Sequence, residues 1–182
     1  QLPPTEKDDR YNLNVRTGSA STLYNSFVFS HGGLTIGLEF YDHTIPEILK
    51  VFLLQIRNSK SANFENYLSQ ELFCLSLIDK AWIRISTKVK PPARFLHEIA
   101  AANNMVYLFG GLQSTTDNNL QPMNDLWQFN LVSKEWKLLH DGKGWESNPA
   151  IPKPRFNHKM TTILNLSFVS KRGHYGILIA GG

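Results

Sequence analysis

Hydrophobic and polar residues alternate in short runs along most of this 182-residue chain, and such runs predict strands. The clearest set lies between Arg94 and Trp136. One apolar run follows Arg94, a second ends at the pair Gly110-Gly111, a third follows Asp125, and Trp136 opens a fourth. Polar turns separate the runs, with Asn103-Asn104 as a tight turn and Ser114–Met123 as a polar loop. This order predicts a four-strand antiparallel meander.

Both halves of the meander recur at the same spacing elsewhere in the chain. An arginine precedes a glycine pair by 16 residues in two copies, and an acidic residue precedes a tryptophan by 11 residues in both. A third copy opens at Arg155 and ends at Gly181-Gly182, with ten extra residues. The paired positions are Arg16 and Arg94, Gly32-Gly33 and Gly110-Gly111, Glu71 and Asp125, and Trp82 and Trp136.

Repeated four-strand meanders predict an all-β propeller portion, because each sheet buries its faces against its neighbours. Residues 1–15 are a polar lead-in, and residues 16–182 form the propeller portion. That portion divides into one blade at 16–85, a second at 94–138 and a partial third at 155–182. A ring needs at least about four blades. We therefore expect the chain to be a fragment whose ring is completed by further repeats of the same protein.

The first blade carries an insertion at residues 34–70. Within it, the sequence Thr44-Ile45-Pro46-Glu47 has the pattern of a capping box. Apolar residues then recur at helical spacing, which predicts a helix at about 45–57.

These motifs resemble a kelch repeat, on Arg94-Phe95-Leu96-His97, its echo Arg155-Phe156-Asn157-His158, the glycine pairs and the spaced tryptophans. A narrower resemblance joins the chain to the N-terminal kelch region of the fungal negative regulators of meiosis and sporulation. It rests on Arg16-Thr17-Gly18-Ser19-Ala20, Phe29-Ser30-His31-Gly32-Gly33-Leu34-Thr35-Ile36 and Trp82-Ile83-Arg84-Ile85. The resemblance implies a cytoplasmic scaffold in nutrient (TOR) and pH-response signalling.

The repeated residues have structural roles in this interpretation. Glycine pairs suit positions where the backbone leaves a strand at positive φ or passes close to a neighbour. We expect Trp82 and Trp136 to be buried between sheets at equivalent places, and the repeated charges to tie one blade to the next. The residues assigned such roles are Gly32, Gly33, Gly110, Gly111, Gly181, Gly182, Trp82, Trp136, Arg94 and Arg155.

Composition narrows the function without fixing it. The net charge is +4, but the basic residues are scattered, so we expect no nucleic-acid partner. No run of 18 apolar residues is present, and we expect no membrane partner. The single cysteine, Cys74, falls in a predicted strand and suits a buried thiol in a reducing compartment.

Sequence motifs favour a non-enzymatic protein without a cofactor, because no nucleophile elbow, phosphate-binding loop or metalloprotease motif occurs. The alternative is a propeller enzyme with a metal or substrate site in the central channel. His97 or His158 would lie nearby, although their equivalent positions in two copies favour a shared structural role.

Connections between the second and third strands and between blades are predicted to open on one face, because connections alternate in a meander. Long connections gathered on one face are typical of a binding surface, so we expect a protein partner there. Trp145 lies in one such connection and would either fold back against the next blade or contact a partner. The candidate partner-binding residues are Trp145, Lys143, Phe52 and Asn118.

Overall fold

A computed structural model describes residues 16–35, 67–117, 119–165 and 174–182 of the chain. The predicted all-β fold is confirmed for these residues, which form antiparallel strands joined by turns. The predicted helix at about 45–57 lies outside the described residues. Nothing in the described ranges is a helix long and apolar enough to cross a membrane.

The first blade is a four-stranded antiparallel sheet in which each strand pairs with the next along the chain. The four strands of the sheet are β2 (Ala20–Tyr24), β3 (Phe27–His31), β5 (Leu72–Ser76) and β6 (Ala81–Ile85). A further short pair, formed by β1 (Arg16–Thr17) and β4 (Leu34–Thr35), lies beyond the end of this sheet at which β2 begins and β3 ends.

The insertion in this blade begins and ends at neighbouring points. Leu34 forms an antiparallel bridge with Leu68, and the Ser69 amide donates to the Gly33 carbonyl at 2.9 Å. Leu34 is fully buried in a small core with Phe95 and Leu112. The two ends of the insertion therefore lie side by side on the same small core.

The second blade repeats the arrangement with β7 (Glu98–Ala102), β8 (Met105–Ser114), β9 (Leu120–Asn130) and β10 (Glu135–His140). The turn at Asn103-Asn104 is as predicted, with φ values of 50° and 60°. The predicted loop at Ser114–Met123 is wrong. After a register shift at Gly110, β8 and β9 continue as a paired arm as far as Ser114 and Leu120.

The partial third blade consists of β11 (Lys159–Asn165) paired with β12 (His174–Ala180). Its first strand lies beside β7, which in turn lies beside β2. First strands of successive sheets thus lie side by side, as they do around the axis of a propeller.

The largest core lies between the first two blades. Phe29 and Cys74 of the first sheet meet Val106, Phe129 and Trp136 of the second. A separate core, which contains Phe109 and Met160, joins the second blade to the third. Burial between sheets, rather than within one sheet, is therefore what holds the blades together.

Trp82 and Trp136 occupy the same register, each as the second residue of a fourth strand. Trp136 is 5% exposed and packs between the blades, whereas Trp82 is only half-buried. Trp82 points to the outer side of the first sheet, since its strand neighbour Ile85 faces the core. The expectation of equal burial is wrong because no described sheet covers that side.

We predict that Trp136→Ala lowers the free energy of unfolding by about 3–5 kcal/mol, because it removes a large side chain packed between two sheets. The matched control Trp82→Ala removes the same side chain from the outer face and should cost about 1 kcal/mol. Urea unfolding followed by circular dichroism measures both. Equal losses would contradict the assigned orientation of the two side chains.

Candidate functional site

Arg94 is a fully buried cation at the start of the second blade. Its two terminal nitrogens donate to the two carboxylate oxygens of Asp125, each at 2.7 Å. One of them also donates to the Gly110 carbonyl at 2.9 Å, and Nε donates to the Pro92 carbonyl at 3.0 Å. The guanidinium thus ties the segment before β7 to β8 and β9 of its own blade. The expectation that the repeated charges tie one blade to the next is wrong here.

The ties between blades are made by backbone groups. The Gly33 amide donates to the Arg94 carbonyl, and the Gly111 amide donates to the Arg155 carbonyl, both at 2.9 Å. A second series runs through the turns, where Leu96 donates to Gly18 at 2.8 Å and Asn157 donates to Leu96 at 2.9 Å. Each blade therefore bonds to the next with the same pattern.

The glycine pairs are needed for this close approach. Gly32 has φ of 67°, and a Cβ there would lie 2.6 Å from the His97 ring and 2.7 Å from the Arg94 carbonyl. Gly110 meets His158 and the Arg155 carbonyl in the same way, at 3.0 Å and 2.7 Å. A side chain at either position would push the next blade away.

Three histidines are buried at these junctions: His97 and His158 at equivalent repeat positions, and His31, which stands where the second blade has Phe109. His31 Nδ1 and His97 Nε2 are 3.0 Å apart, and His158 packs edge-on against Phe109. Burial, followed by the positive charge of Arg94, lowers the pKa of His31 to about 3. Burial also lowers the pKa of His158 to about 4 and holds the pKa of His97 well below its usual value. Because these pKa values lie below the usual value, the three rings are neutral at ordinary pH.

Within the described ranges, no group of three or more His, Cys, Asp or Glu side chains could hold a metal ion. Cys74 is buried, and burial raises the pKa of its thiol to about 11.

The first blade departs from the charge clamp of the second. Glu71, the counterpart of Asp125, pairs with Arg84 at 2.8 Å and with Lys90 at 2.9 Å. Arg16, the counterpart of Arg94, instead places its guanidinium over the Phe73 ring at 4.6 Å and reaches the Gly32 carbonyl at 3.4 Å. Glu71, whose side chain is longer than that of aspartate, therefore pairs with β6 and with the crossover to the second blade rather than with Arg16.

The crossover between the second and third blades is bound to β9 through Asn124. The Asn124 amide group donates to the carbonyls of Gly142 at 2.9 Å and Pro152 at 3.0 Å. Trp145 is half-buried in this crossover, and the side chain of Lys143 is 88% exposed beside Asp141. The two other candidate partner-binding residues, Phe52 and Asn118, lie outside the described residues.

A groove that the sequence did not reveal opens at the junction of the first two blades. Its volume is about 310 Å³. Three separate segments line it, and all belong to the predicted long connections. The lining residues are Leu68, Gln70, Pro92, Ala93, Gln113 and Ser114. The available signal was Gln70, which occupies the repeat position of Asn124 directly before the acidic residue.

Comparisons with known proteins agree with this geometry. Residues 93–140 match the Kelch motif family. The chain is 56% identical over 191 aligned residues to the negative regulator of sporulation MDS3 of Candida albicans, with all of this chain and 14% of the relative covered. It is 31% identical over 167 residues to the negative regulator of sporulation PMD1 of Saccharomyces cerevisiae, covering 81% of this chain and 9% of that protein. The chain thus spans only a small part of these relatives.

Among solved structures, the chain aligns with that of YjhT at a TM-score of 0.48 and 15% identity. The alignment covers 83% of this chain and 32% of that one.

We predict that Arg94→Met destabilises the protein by about 3–5 kcal/mol, because it leaves the Asp125 carboxylate buried without its partner. Arg155→Met is the matched control, since Arg155 donates to Gly181 but pairs with no described carboxylate. That control should cost less than about 1.5 kcal/mol. Chemical unfolding measures both variants, and comparable losses would remove the clamp as the cause.

Acidification should weaken the fold. His31 stays neutral in the folded protein down to about pH 3, whereas in the unfolded chain it takes up a proton below about pH 6.5. The free energy of unfolding should therefore be constant above pH 6.5 and fall as the pH drops towards 4, by about 1.4 kcal/mol per pH unit from this group.

Urea unfolding of the wild type and His31→Gln at pH 7, 6 and 5 tests this. In His31→Gln, the free energy of unfolding should fall with decreasing pH less steeply than in the wild type, by up to about 1.4 kcal/mol per pH unit. An identical pH dependence in the two proteins would show that His31 does not contribute.

Proposed function

Because this chain belongs to the kelch-repeat proteins and is related along its whole length to a fungal negative regulator of sporulation, we propose that it is part of a protein-interaction scaffold in growth signalling. Its action is negative regulation of meiosis and sporulation in response to nutrients and pH. The observation that carries the proposal is the 56% identity to the Candida regulator across this entire chain. We place the protein in the cytoplasm.

The partner binds to the loop-rich face, the face on which the connections between blades and between second and third strands are predicted to open. Two ordered segments of that face support this role: the Asp141–Pro154 crossover, which Asn124 holds, and the paired arm of β8 and β9. Rigid backbone under exposed side chains lowers the entropy lost on binding. Trp145, half-buried in the crossover, supplies the aromatic contact, with Lys143 beside it.

The scaffold acts without catalysis. The histidines that an active site would need are buried against glycine backbone at the junctions, and their low pKa values suit neutral packing rather than proton transfer. The central-channel enzyme is therefore the weaker alternative.

Further kelch repeats of the same protein complete the ring. On the outer face of the first sheet, one apolar residue from each of the four strands lies in a row across the sheet. In the second sheet, the residues at the same positions pack against the first blade. The outer row of the first sheet therefore matches a surface that another blade would cover. Leu23, at the end of the outer row, is 61% exposed. The matched rows are Leu23–Val28–Leu75–Trp82 and Ala101–Val106–Phe129–Trp136.

An exchange experiment tests the scaffold. The matching segment of the Saccharomyces regulator is replaced by this chain, with or without Trp145→Ala, and sporulation frequency and co-purified proteins are measured. We expect the wild-type chain to maintain repression, and the variant to raise sporulation and lose bound protein with an unchanged melting temperature.

The matched control is Val132→Ala, which shortens an apolar side chain that is 78% exposed in the turn between β9 and β10, away from the loop-rich face. If Trp145→Ala keeps both repression and bound protein, Trp145 is not a contact. A melting temperature lowered by several degrees, as about 1–3 kcal/mol of lost packing would produce, would make the residue structural.

A further inference from the structure

The groove at the junction of the first two blades has fixed walls. On one side, Leu68 is bridged to Leu34, and the Arg94 amide donates to the Ser69 carbonyl at 3.2 Å. On the other side, the amides of Phe95 and Leu112 donate to each other's carbonyls at 3.1 and 2.9 Å. Gln70 and Gln113 stand on these two walls. The site is therefore formed before any ligand arrives.

The next junction shows how its counterpart is occupied. There Asn124 stands at the repeat position of Gln70, and its side-chain amide donates to two backbone carbonyls, those of Gly142 and Pro152. Both carbonyls belong to the crossover between β10 and Arg155, which has 14 residues. The chain itself thus supplies a peptide segment to the carboxamide at that junction.

Among the described residues, the first junction has no counterpart to that segment. Its crossover between β6 and Arg94 has only eight residues, six fewer than the other. The Gln70 carboxamide makes no hydrogen bond to the described part of the chain, and its side chain lines the open groove. The side-chain amide of Asn124 is thus occupied by backbone carbonyls, whereas that of Gln70 can donate to a ligand.

The charge of the site selects an uncharged ligand. Its lining contains two carboxamides, one hydroxyl and three apolar side chains, and none of the six is ionisable. The charged residues next to the lining already have partners: Glu71 pairs with Arg84 and Lys90, and Arg94 pairs with Asp125. A charged group placed here would lose hydration without gaining a partner, whereas a peptide unit matches the donors and acceptors of a carboxamide.

We propose that this groove, at the junction of the first two blades, binds an uncharged, extended peptide segment of a partner protein, with the Gln70 carboxamide donating to its backbone carbonyls as Asn124 does to the crossover. The inference rests on the proposed protein-binding role of the loop-rich face and names the kind of segment that is bound. Gln113 and Ser114 contact the segment from the opposite wall, and Ala93 forms the floor between them.

A phage-displayed library of linear dodecapeptides, panned on this chain, tests the proposal. The enriched peptides are synthesised with a fluorescent label, and their dissociation constants are measured by anisotropy. We expect uncharged sequences whose affinity changes less than twofold between 50 and 500 mM salt. Gln70→Ala should weaken them about tenfold through the lost hydrogen bonds, and Ala93→Phe, which fills the groove, should abolish binding.

Gln121→Ala is the matched control, because Gln121 is an exposed glutamine on the same arm that does not line the groove. It should leave the affinity within twofold of the wild type. If Ala93→Phe does not fold, as judged by its melting temperature, Gln70→Ala decides the question alone. Absence of enriched peptides, binding that survives Gln70→Ala, or binding that falls steeply with salt would overturn the proposal.

The two proposals fail separately. Peptides that bind independently of Gln70, together with a partner that depends on Trp145, would remove the groove and leave the scaffold. Peptides that depend on Gln70, together with a Trp145→Ala variant that keeps repression, would retain the groove and relocate the partner.

Discussion

The packing of successive blades depends on one close approach, that of an Arg-x-x-His segment to the glycine pair of the preceding blade. The hydrogen bond from Gly33 to Arg94 and the contact of His97 with Gly32 require the two backbones to be almost in touch. Because that approach fixes the distance between the sheets, aromatic side chains such as Trp136 can pack in the space between them. The buried Arg94 holds the approaching segment against its own blade through two hydrogen bonds to Asp125.

Strands and tight turns were predictable because they depend on the order of apolar, polar and turn-forming residues that are close in sequence. Period-two alternation located the strands of the blades, and Asn103-Asn104 indicated a turn that needs positive φ at both residues. The arm beyond Gly110 was missed because its residues are polar, and alternation reports which side chains are buried, not whether exposed backbone is paired. The unequal burial of Trp82 and Trp136 was missed for a related reason, since register fixes the side of a sheet but not what covers it.

The candidate site was harder to predict because it depends on contacts between distant residues. Arg94 meets Asp125 from 31 positions away, and the equivalent acidic residue in the first blade, longer by one methylene group, turns to Arg84 and Lys90 instead. The groove is assembled from three segments that no single motif contains. The repeat spacing places Gln70 and Asn124 at equivalent positions. Only the structure shows that Asn124 binds its crossover through two hydrogen bonds, whereas the crossover beside Gln70 is shorter.

The bridge between Leu34 and Leu68 has a consequence for how such a chain can change its length. Both ends of the insertion are anchored to each other and to a buried core, so the blade already contains the closing contact of that loop. Lengthening the segment between them adds only loop-closure entropy, which grows with the logarithm of length and amounts to about 0.6 kcal/mol for each doubling. The first blade is therefore a place where evolution, or an engineer inserting a foreign domain, can add residues at small thermodynamic cost while the packing between the first two blades stays unchanged.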